Sequence, residues 1–436
     1  MRNFKKVIVT VFAAVLCMSG SVAKTDTPVN KEIVYDASYA QNFYKLMLAE
    51  MALSRGEWNN ALGLYLDLSK SSYNADIYDK TMQIALSMQA KDIAMEVLNR
   101  WLAQDSESEV ANLYQVKILM SQQQFYAAAE LLENMSALEH MEGLNTQSEF
   151  YSEVNFLQAM TFIELRKYQE ALALLQTLES TKYSSVAIYY TGQIYEALGD
   201  QKEALAQYKN VSGKYFFQSN VRIASILAGE KKFEEALSVL SKVTSNSAPE
   251  AISKALLEAN IYMATDDDQN AVNVINEALE IKPGDLNLLF LRGVAYVGLH
   301  KPLLAEQDLN KVLVENENSP EVLNALGYTL TNFSNRYHEA FDMISKALEI
   351  SPNSPAIMDS YGWVLFKLGK YDEALNFLKK AYDSIPETEI GAHYAVVLNA
   401  MGQKKQAEIF IQKMSQSNIL SKNAVYILQQ YQLPLR

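Results

Sequence analysis

Residues 361–386 read YGWVLFKLGKYDEALNFLKKAYDSIP, and this stretch decides the fold. Most of it favours a helix, but Gly362 and Gly369 would each weaken a single continuous helix. We therefore predict two short helices that meet at a turn around Gly369. The small residues Gly362 and Ala374 would then lie where the two helices contact each other.

The same pattern recurs at a fixed period. When Pro355 is counted as position 1, small residues occupy positions 8, 20 and 27, and a proline follows at position 32. Units of this kind begin at Ile252, Leu286, Pro320 and Pro355, which are 34, 34 and 35 residues apart. The unit that begins at Pro320 needs a slip of one residue to align Ala340. A period of this length is typical of arrays of paired helices.

One alanine per unit extends the array in both directions. These alanines, each near the start of a predicted second helix, are Ala61, Ala94, Ala128, Ala171, Ala204, Ala236, Ala271, Ala305, Ala340, Ala374 and Ala407. Their spacings lie between 32 and 35 residues, except that Ala128 and Ala171 are 43 residues apart. We predict an all-α fold of about eleven repeats, in which each repeat buries its core against its neighbours.

The repeat resembles the tetratricopeptide repeat (TPR), because Gly362, Ala374 and Pro386 stand at the small and proline positions of that family. The resemblance implies a right-handed superhelical solenoid of helix-turn-helix units. It also implies that the first helix of each unit packs closely on the second. Tyr371 and Leu378 are expected to fill the groove between the two helices.

Six segments are predicted along the chain. They are a signal peptide at residues 1–23, a linker at 24–41, divergent N-terminal repeats at 42–135, an inserted loop or hinge at 136–150, the main TPR array at 151–388, and a last TPR-like unit with a C-terminal capping helix at 389–436. A longer second helix is the alternative interpretation of the insertion. Trp58 and Trp101 in the divergent repeats suggest packing rather than function.

The N-terminus predicts export. A basic region that ends at Lys6 precedes an apolar core at residues 7–18 and small residues at 21–23. This order is typical of a cleaved secretory signal peptide, so we expect a periplasmic protein. Lipidation of Cys17, which would make an outer-membrane lipoprotein, is the alternative, although Leu16 is bulky for the position before a lipidated cysteine. Membrane contact is expected only in that case.

Composition limits the function further. Cys17 is the only cysteine, so cleavage after residue 23 would leave no thiol and no disulfide. Cleavage would also remove three basic residues and change the formal net charge from −13 to −16. So acidic a chain is not expected to bind nucleic acid.

Catalytic and metal-binding patterns are weak. The four histidines, His140, His300, His338 and His393, fall in different units. The sequence HEAFD at residues 338–342 has Asp342 where a zinc-protease motif needs its second histidine, so we interpret His338 as a solvated surface residue. The aspartates in TDDDQ, residues 265–269, are interpreted as a helix cap. We predict no enzymatic activity, no cofactor and no metal.

In the TPR family, residues at positions 2, 5, 9 and 12 of each first helix face a concave groove. The candidates here are Phe156, Met160, Tyr189, Leu256, Asn260, Met263, Phe290, Asn324, Tyr328, Asp359, Trp363 and Phe366. We expect an apolar and aromatic groove, with amides that bind the backbone of an extended peptide or a partner protein. Trp363 and Phe366 are the preferred contact residues. Alternatively, a tightly wound superhelix buries part of this face as its own core.

A narrower resemblance rests on residues 44–72, YKLMLAEMALSRGEWNNALGLYLDLSKSS, and residues 79–102, DKTMQIALSMQAKDIAMEVLNRWL. They are similar to periplasmic TPR adaptors, of which the nearest type is the lipoprotein adaptor of a carboxyl-terminal processing protease. That resemblance implies a non-catalytic scaffold whose partners include the protease and the cell-wall hydrolases presented to it. The alternative is a structural component of a pilus, secretion or polysaccharide-export complex.

Overall fold

The structure is a computed structural model that describes residues 37–71, 73–142, 149–417 and 419–435. The predicted signal peptide, Cys17 and the first part of the predicted linker lie outside these residues. All regular secondary structure in the described part of the chain is helical. The chain folds as two compact units, and the division between them falls between Leu131 and Leu132.

The first unit is built from hairpins of antiparallel helices. Its helices are α1 (Ala37–Ser54), α2 (Trp58–Ser71), α3 (Ala75–Ser87), α4 (Lys91–Gln104), α5 (Glu109–Ser121) and α6 (Phe125–Glu142), the last of which continues past the division. Tyr78 and Trp101 stack in its core with ring centroids 5.5 Å apart. Trp101 is buried as predicted, but the packing prediction is wrong for Trp58, whose surface is 50% exposed.

The second unit continues the same alternation. Its helices are α7 (Glu149–Glu164), α8 (Tyr168–Thr177), α9 (Ser184–Ala197), α10 (Gln201–Lys209), α11 (Phe216–Gly229), α12 (Phe233–Ser241), α13 (Ala248–Ala264), α14 (Asp268–Ile281), α15 (Leu286–Gly298), α16 (Pro302–Glu315), α17 (Pro320–Phe333), α18 (Tyr337–Ile350), α19 (Pro355–Lys367), α20 (Tyr371–Ser384), α21 (Thr388–Ala400), α22 (Lys404–Ser417) and α23 (Lys422–Gln430). A short 3-10 helix, Gly213–Tyr215, precedes α11.

The helices therefore form eleven pairs followed by the single helix α23, counted over the described residues. Within the second unit, each pair from α13 to α22 packs its two helices together, and consecutive pairs also pack on each other. The predicted fold class, an all-α solenoid of about eleven helix-turn-helix repeats, is confirmed.

Small residues set the close approach within a pair, as predicted. A Cβ atom at Gly362 would lie 2.7 Å from Leu378 Cγ, closer than real Cβ contacts come, and 3.1 Å from the Ala374 carbonyl oxygen, which is tighter than most such contacts. Gly293 would meet Leu309 in the same way in an earlier repeat. Leu378 is fully buried between the helices, but Tyr371, which was expected to fill the same groove, is 41% exposed at its edge.

In ten of the eleven described pairs, the turn places a residue in the left-handed region. Gly369 has φ of +79°, which lets the Lys370 N–H donate to the Leu365 carbonyl at 3.0 Å and end the helix. Residues that occupy this region at the ends of other first helices are Gly56, Gln89, Gln123, Arg166, Gly199, Lys231, Asp266, His300 and Gly402.

The repeat with the one-residue slip turns differently. Helix α17 has 14 residues, whereas α15 and α19 have 13 each. The next residue, Ser334, is extended, with φ of −145° and ψ of 173°, rather than left-handed. The extra residue of α17 and this extended turn account for the displaced Ala340.

The predicted insertion at residues 136–150 is helical over its first part. Residues 136–142 continue α6, and Glu149 begins α7, while residues 143–148 lie outside the described part of the chain. The alternative interpretation, a longer second helix, describes residues 136–142. Across the described residues, no helix has both the length and the apolar character that would be needed to cross a bilayer.

Candidate functional site

A cavity of the second unit lies among the first helices of five consecutive pairs. This inner cavity has a volume of about 520 Å³ and is lined from α13, α15, α17, α19 and α21, from the segments that flank them, from Asp268 at the start of α14, and from Asn423 of α23. Five of the twelve predicted contact residues line it, and they are Met263, Phe290, Asn324, Tyr328 and Asp359. The periodic positions therefore converge because successive first helices present the same face.

Three predicted contact residues lie in earlier pairs. Phe156 is half-buried and stacks on Tyr183, with ring centroids 4.9 Å apart. Met160 is also half-buried. Tyr189 is only 9% exposed and packs against the rings of Tyr208 and Tyr215. Tyr189 therefore belongs to the core of its repeat.

Two further predicted residues are on α13. Leu256 packs against the core between α13 and the following helices. Asn260 is exposed, and its amide donates to the Leu256 carbonyl of the same helix at 2.7 Å. Neither residue lines the inner cavity.

The structure places Trp363 in the core, although it was the preferred contact residue. It is 1% exposed, its Nε1 donates to Asn332 Oδ1 at 2.8 Å, and its ring stacks on His393 at 4.1 Å. Phe366 is partly buried, and both it and Trp363 contact the ring of Tyr431, which follows α23. At these two positions the structure matches the alternative prediction, in which part of the concave face is buried as the protein's own core.

Carboxylates dominate the polar lining of the inner cavity. They belong to Asp266, Asp268, Glu321, Asp359, Glu387 and Glu389, and the lining includes no lysine or arginine. Burial, followed by the charge of Asp266, raises the pKa of Asp268 to about 6. Desolvation, followed by the charges of Glu389 and Asp359, raises the pKa of Glu387. The site is therefore an acidic pocket in which burial and mutual repulsion destabilise the charged form of the carboxylates.

Two hydrogen-bonded pairs hold part of this lining in place. The carboxylate of Asp359 lies 3.0 Å from Nδ1 of the fully buried His393. The Tyr328 hydroxyl donates to Glu389 Oε1. These contacts connect three consecutive first helices and fix the rotamers of residues that face the cavity.

Apolar residues form much of the remaining lining, beside the uncharged polar side chains of Asn324, Tyr328, Asn423 and three serines. The apolar residues are Met263, Phe290, Val294, Val297, Ala325, Ala356, Ile357 and Ile390. The cavity therefore combines an apolar surface with carboxylates, which suits a ligand that has both apolar and positively charged groups.

Helix α23 borders the cavity. Its N-cap Ser421 accepts from the Ala424 N–H at 3.2 Å, and the Ser421 N–H donates to Thr388 Oγ1 at 3.1 Å. Asn423 donates from Nδ2 to Glu389 Oε2 at 3.3 Å. The start of α23 is thereby attached to the start of α21.

A second, smaller cavity of about 160 Å³ lies on the other side of Tyr328 and Asn423, which line both spaces. There Tyr426 packs its ring 4.6 Å from that of His300. The ammonium of Lys367 donates to the Tyr431 hydroxyl at 2.8 Å. Helix α23 thus fills a region of the concave face. The repeat positions in the sequence had suggested that this region was open to a partner.

Several lining residues were not predicted as site residues. Glu387 lies just before α21, outside the periodic positions, and Asn423 lies in the capping helix, whereas Glu389 occupies position 2 of α21 but was not among the candidates. Asp266 and Asp268 were interpreted as capping residues, a role that the structure gives to Asp267, whose side chain accepts from the Asn270 N–H. The acidic run TDDDQ was the only feature of the sequence that pointed to Asp266 and Asp268.

The predicted surface histidine, His338, is exposed. Among the described residues, no group of three or more histidine, cysteine, aspartate or glutamate side chains is placed to hold a metal ion.

Comparisons with known proteins identify the repeats. Tetratricopeptide-repeat family models match residues 156–211, 256–285 and 357–388. The chain is 34% identical over 208 residues to the TPR repeat-containing protein PA4667 of Pseudomonas aeruginosa, a match that covers 48% of this chain and 35% of that protein. It is 23% identical over 382 residues to the TPR repeat-containing protein MJ1428 of Methanocaldococcus jannaschii, covering 84% of this chain and 62% of the relative. These matches therefore span less than two thirds of either relative.

Among solved structures, the C-terminal part of a TPR repeat-containing protein from Cytophaga hutchinsonii is similar. It is 18% identical, covers 57% of this chain and 98% of its own, and aligns with a TM-score of 0.44.

Proposed function

Because this chain carries tetratricopeptide repeats, we propose that it is a non-catalytic scaffold that binds a segment of a partner protein in the inner cavity. The observation that carries the proposal is the convergence of five predicted groove residues on one cavity lined by five consecutive first helices. A repeat array presents such a surface without a separate binding domain, since each repeat contributes the same helix face.

The inner cavity suits a peptide segment in size and chemistry. Its volume of about 520 Å³ is within the usual range for ligand pockets, which is about 300–1,000 Å³. Phe290 and Ile357 supply apolar contact, and Asn324 supplies an amide beside them. These groups can hold an apolar side chain and a peptide group together.

We further propose that the scaffold works outside the cytoplasm, in the periplasm. The signal-peptide pattern at residues 1–23 supports this location. The proposed role there is to present cell-wall hydrolases or other substrates to an envelope protease, and it is supported by the resemblance of residues 44–72 and 79–102 to adaptors of that kind.

The test is affinity capture of the full chain from its own envelope after mild cross-linking, with mass spectrometry. We expect a specific partner with the wild type and its loss with the double variant Phe290→Ala, Asn324→Ala. The matched control, Leu303→Ala with Val314→Ala, truncates side chains that are 81% and 75% exposed and lie outside the cavity. It should retain the partner, and thermal melts should show that all three proteins are folded.

Each outcome has a definite meaning. Recovery of a processing protease together with hydrolases supports the adaptor role, whereas recovery of a stoichiometric secretion or polysaccharide-export assembly replaces that role with a structural one. If the wild type and the cavity variant recover the same proteins, the inner cavity is not the binding site.

A further inference from the structure

We propose that the inner cavity selects a positively charged partner segment, in which a lysine or arginine lies beside apolar residues, and that Lys422 of the chain itself occupies part of this position in the structure. The inference rests on the proposed function and adds the chemical class of the partner. Three independent features carry it, and they are the unpaired carboxylates, an intramolecular lysine at the edge of the cavity, and a buried acceptor without a donor.

The first feature is the charge imbalance inside the lining. Asp359 faces His393, and Glu389 accepts from Tyr328 and Asn423. By contrast, the carboxylates of the half-buried Asp268 and of Glu387 at the rim accept no hydrogen bond and form no ion pair with any residue that the structure describes. Partly buried carboxylates that have neither a hydrogen bond nor an ion pair are costly, and a bound cation in direct contact with them would reduce that cost.

The second feature is Lys422, which shows where a cation is accepted. Its ammonium donates to the Asp266 carbonyl oxygen, and its backbone N–H donates to Asp266 Oδ2 at 3.2 Å. Its charge also lowers the pKa of Asp268, against the effects of burial and Asp266. Lys422 is separated from Asp266 by 156 residues of sequence, so this contact depends on the tertiary fold.

The third feature is an acceptor with no donor. Asn324 lines the cavity, and its Oδ1 is buried and has no hydrogen-bond partner among the described residues. A buried acceptor of this kind is normally paired. If the Asn324 amide rotates toward the cavity, a backbone N–H or a basic side chain of a bound segment would supply the missing donor.

The apolar lining decides what accompanies the charge. Met263, Phe290 and Ile357 offer no polar group to a bare inorganic cation or a fully hydrated polyamine. A segment in which lysine alternates with leucine-like residues would place its charge at the carboxylates and its apolar side chains on this surface.

The experiment uses the full chain and two labelled peptides. One peptide repeats Lys-Leu-Ser, and the other repeats Glu-Leu-Ser, so that they differ in charge alone. Fluorescence anisotropy measures binding at about 50 mM and about 500 mM salt, because charge attraction is screened at the higher concentration. We expect the lysine peptide to bind at least about tenfold more tightly than the glutamate peptide.

Variants then locate the binding. The pair Asp268→Asn, Glu387→Gln should weaken lysine-peptide binding by about tenfold, whereas Glu315→Gln with Glu349→Gln should change it by less than about twofold. The second pair removes the same charge from exposed positions outside the cavity. Lys422→Gln should strengthen binding, because it removes the internal competitor.

The proposal fails if the two peptides bind equally, if the lysine peptide does not bind, or if both carboxylate pairs weaken binding alike, since net charge would then suffice. Unchanged affinity in Lys422→Gln would overturn the role given to that lysine. None of these outcomes affects the result of the capture experiment. The scaffold function would therefore still be supported if the preference for a positively charged segment were refuted. Asp268→Asn removes an unpaired, half-buried charge and is expected to leave the fold intact.

Discussion

The guanidinium of Arg292 joins three helices. It donates from Nε at 2.7 Å and from Nη2 at 3.0 Å to the carboxylate of Asp308, which is 2% exposed, and from Nη1 to Asn276 at 2.7 Å. The hydrogen bond to Asp308 raises the pKa of Arg292. Helices α14, α15 and α16 are thus tied by one guanidinium.

Asp308→Ala should therefore lower the free energy of unfolding by about 3 kcal/mol, because it leaves a half-buried arginine without its counter-charge. Urea denaturation measures the change. Asp383→Ala is the control, since its pair with Lys379 is 59% and 60% exposed, and solvent screening leaves such a surface pair little effect on stability. Equal effects at the two sites would contradict this account of Asp308.

The raised pKa of Asp268 predicts a pH effect on stability. Its folded-state pKa of about 6 lies above the ordinary value of 3.8, so the folded protein binds the proton more tightly than the unfolded chain between these values. Stability from this group therefore falls as pH rises through about 6. The neighbours that act on it are Asp266, Asp267, Glu389 and Lys422.

Asp268→Asn should consequently be more stable than the wild type at pH 7–8, and the difference should shrink as the pH falls toward 4. Melting temperatures of both proteins across this range measure it. A constant difference at all pH values would show that Asp268 does not titrate in this window.

At the scale of elements, the helix pair is a local contact and could be predicted from the sequence. Gly362 and Leu378 are 16 residues apart, and the pairing repeats with the period of the chain. The burial of Trp363 could not be predicted in this way. Its cover comes partly from His393 in the next repeat and partly from Tyr431, which follows α23 and lies outside the repeat pattern.

Part of the candidate site could likewise be predicted from the sequence. Met263, Phe290 and Asn324 lie on the equivalent face of three successive first helices, so the repeat period predicted them. Glu387 lies before the start of α21, and Asn423 lies in the final helix, so their positions depend on tertiary packing, which a repeat template does not contain.

The close contact at Gly362 makes a prediction for the pair α19–α20. Gly362→Leu should lower the free energy of unfolding by about 1–3 kcal/mol, because even a Cβ atom would overlap Leu378. Gly229→Ala is the control, since a Cβ there meets no atom within 4 Å. Urea midpoints compare the two, and an unchanged midpoint in Gly362→Leu would mean that the helices separate without cost.

At the scale of the whole molecule, α23 completes the core of the last repeats. Ala424, Ile427 and Leu428 are buried in the same cluster as Trp363 and Val396. The C-terminal repeats are therefore stabilised by a helix that is not itself paired, as expected where a solenoid must cover its last apolar face.

Removal of residues 422–436 should accelerate amide hydrogen exchange in α21 and α19, whose inner faces α23 covers. Exchange in α9, several repeats away, should stay unchanged, because a repeat stabilises its neighbours first. Hydrogen-exchange mass spectrometry measures both. Equal acceleration in α9 would mean that the second unit unfolds as one cooperative body.

The contact between Lys422 and Asp266 has a mechanical consequence. A solenoid normally extends elastically under tension, because each repeat contacts only its neighbours and small rotations between repeats add along the array. Here a contact between residues 156 positions apart bridges five repeats. Tension applied between α13 and the C-terminus therefore acts on this attachment, and on the contact of Tyr426 with His300, before the intervening repeats can extend.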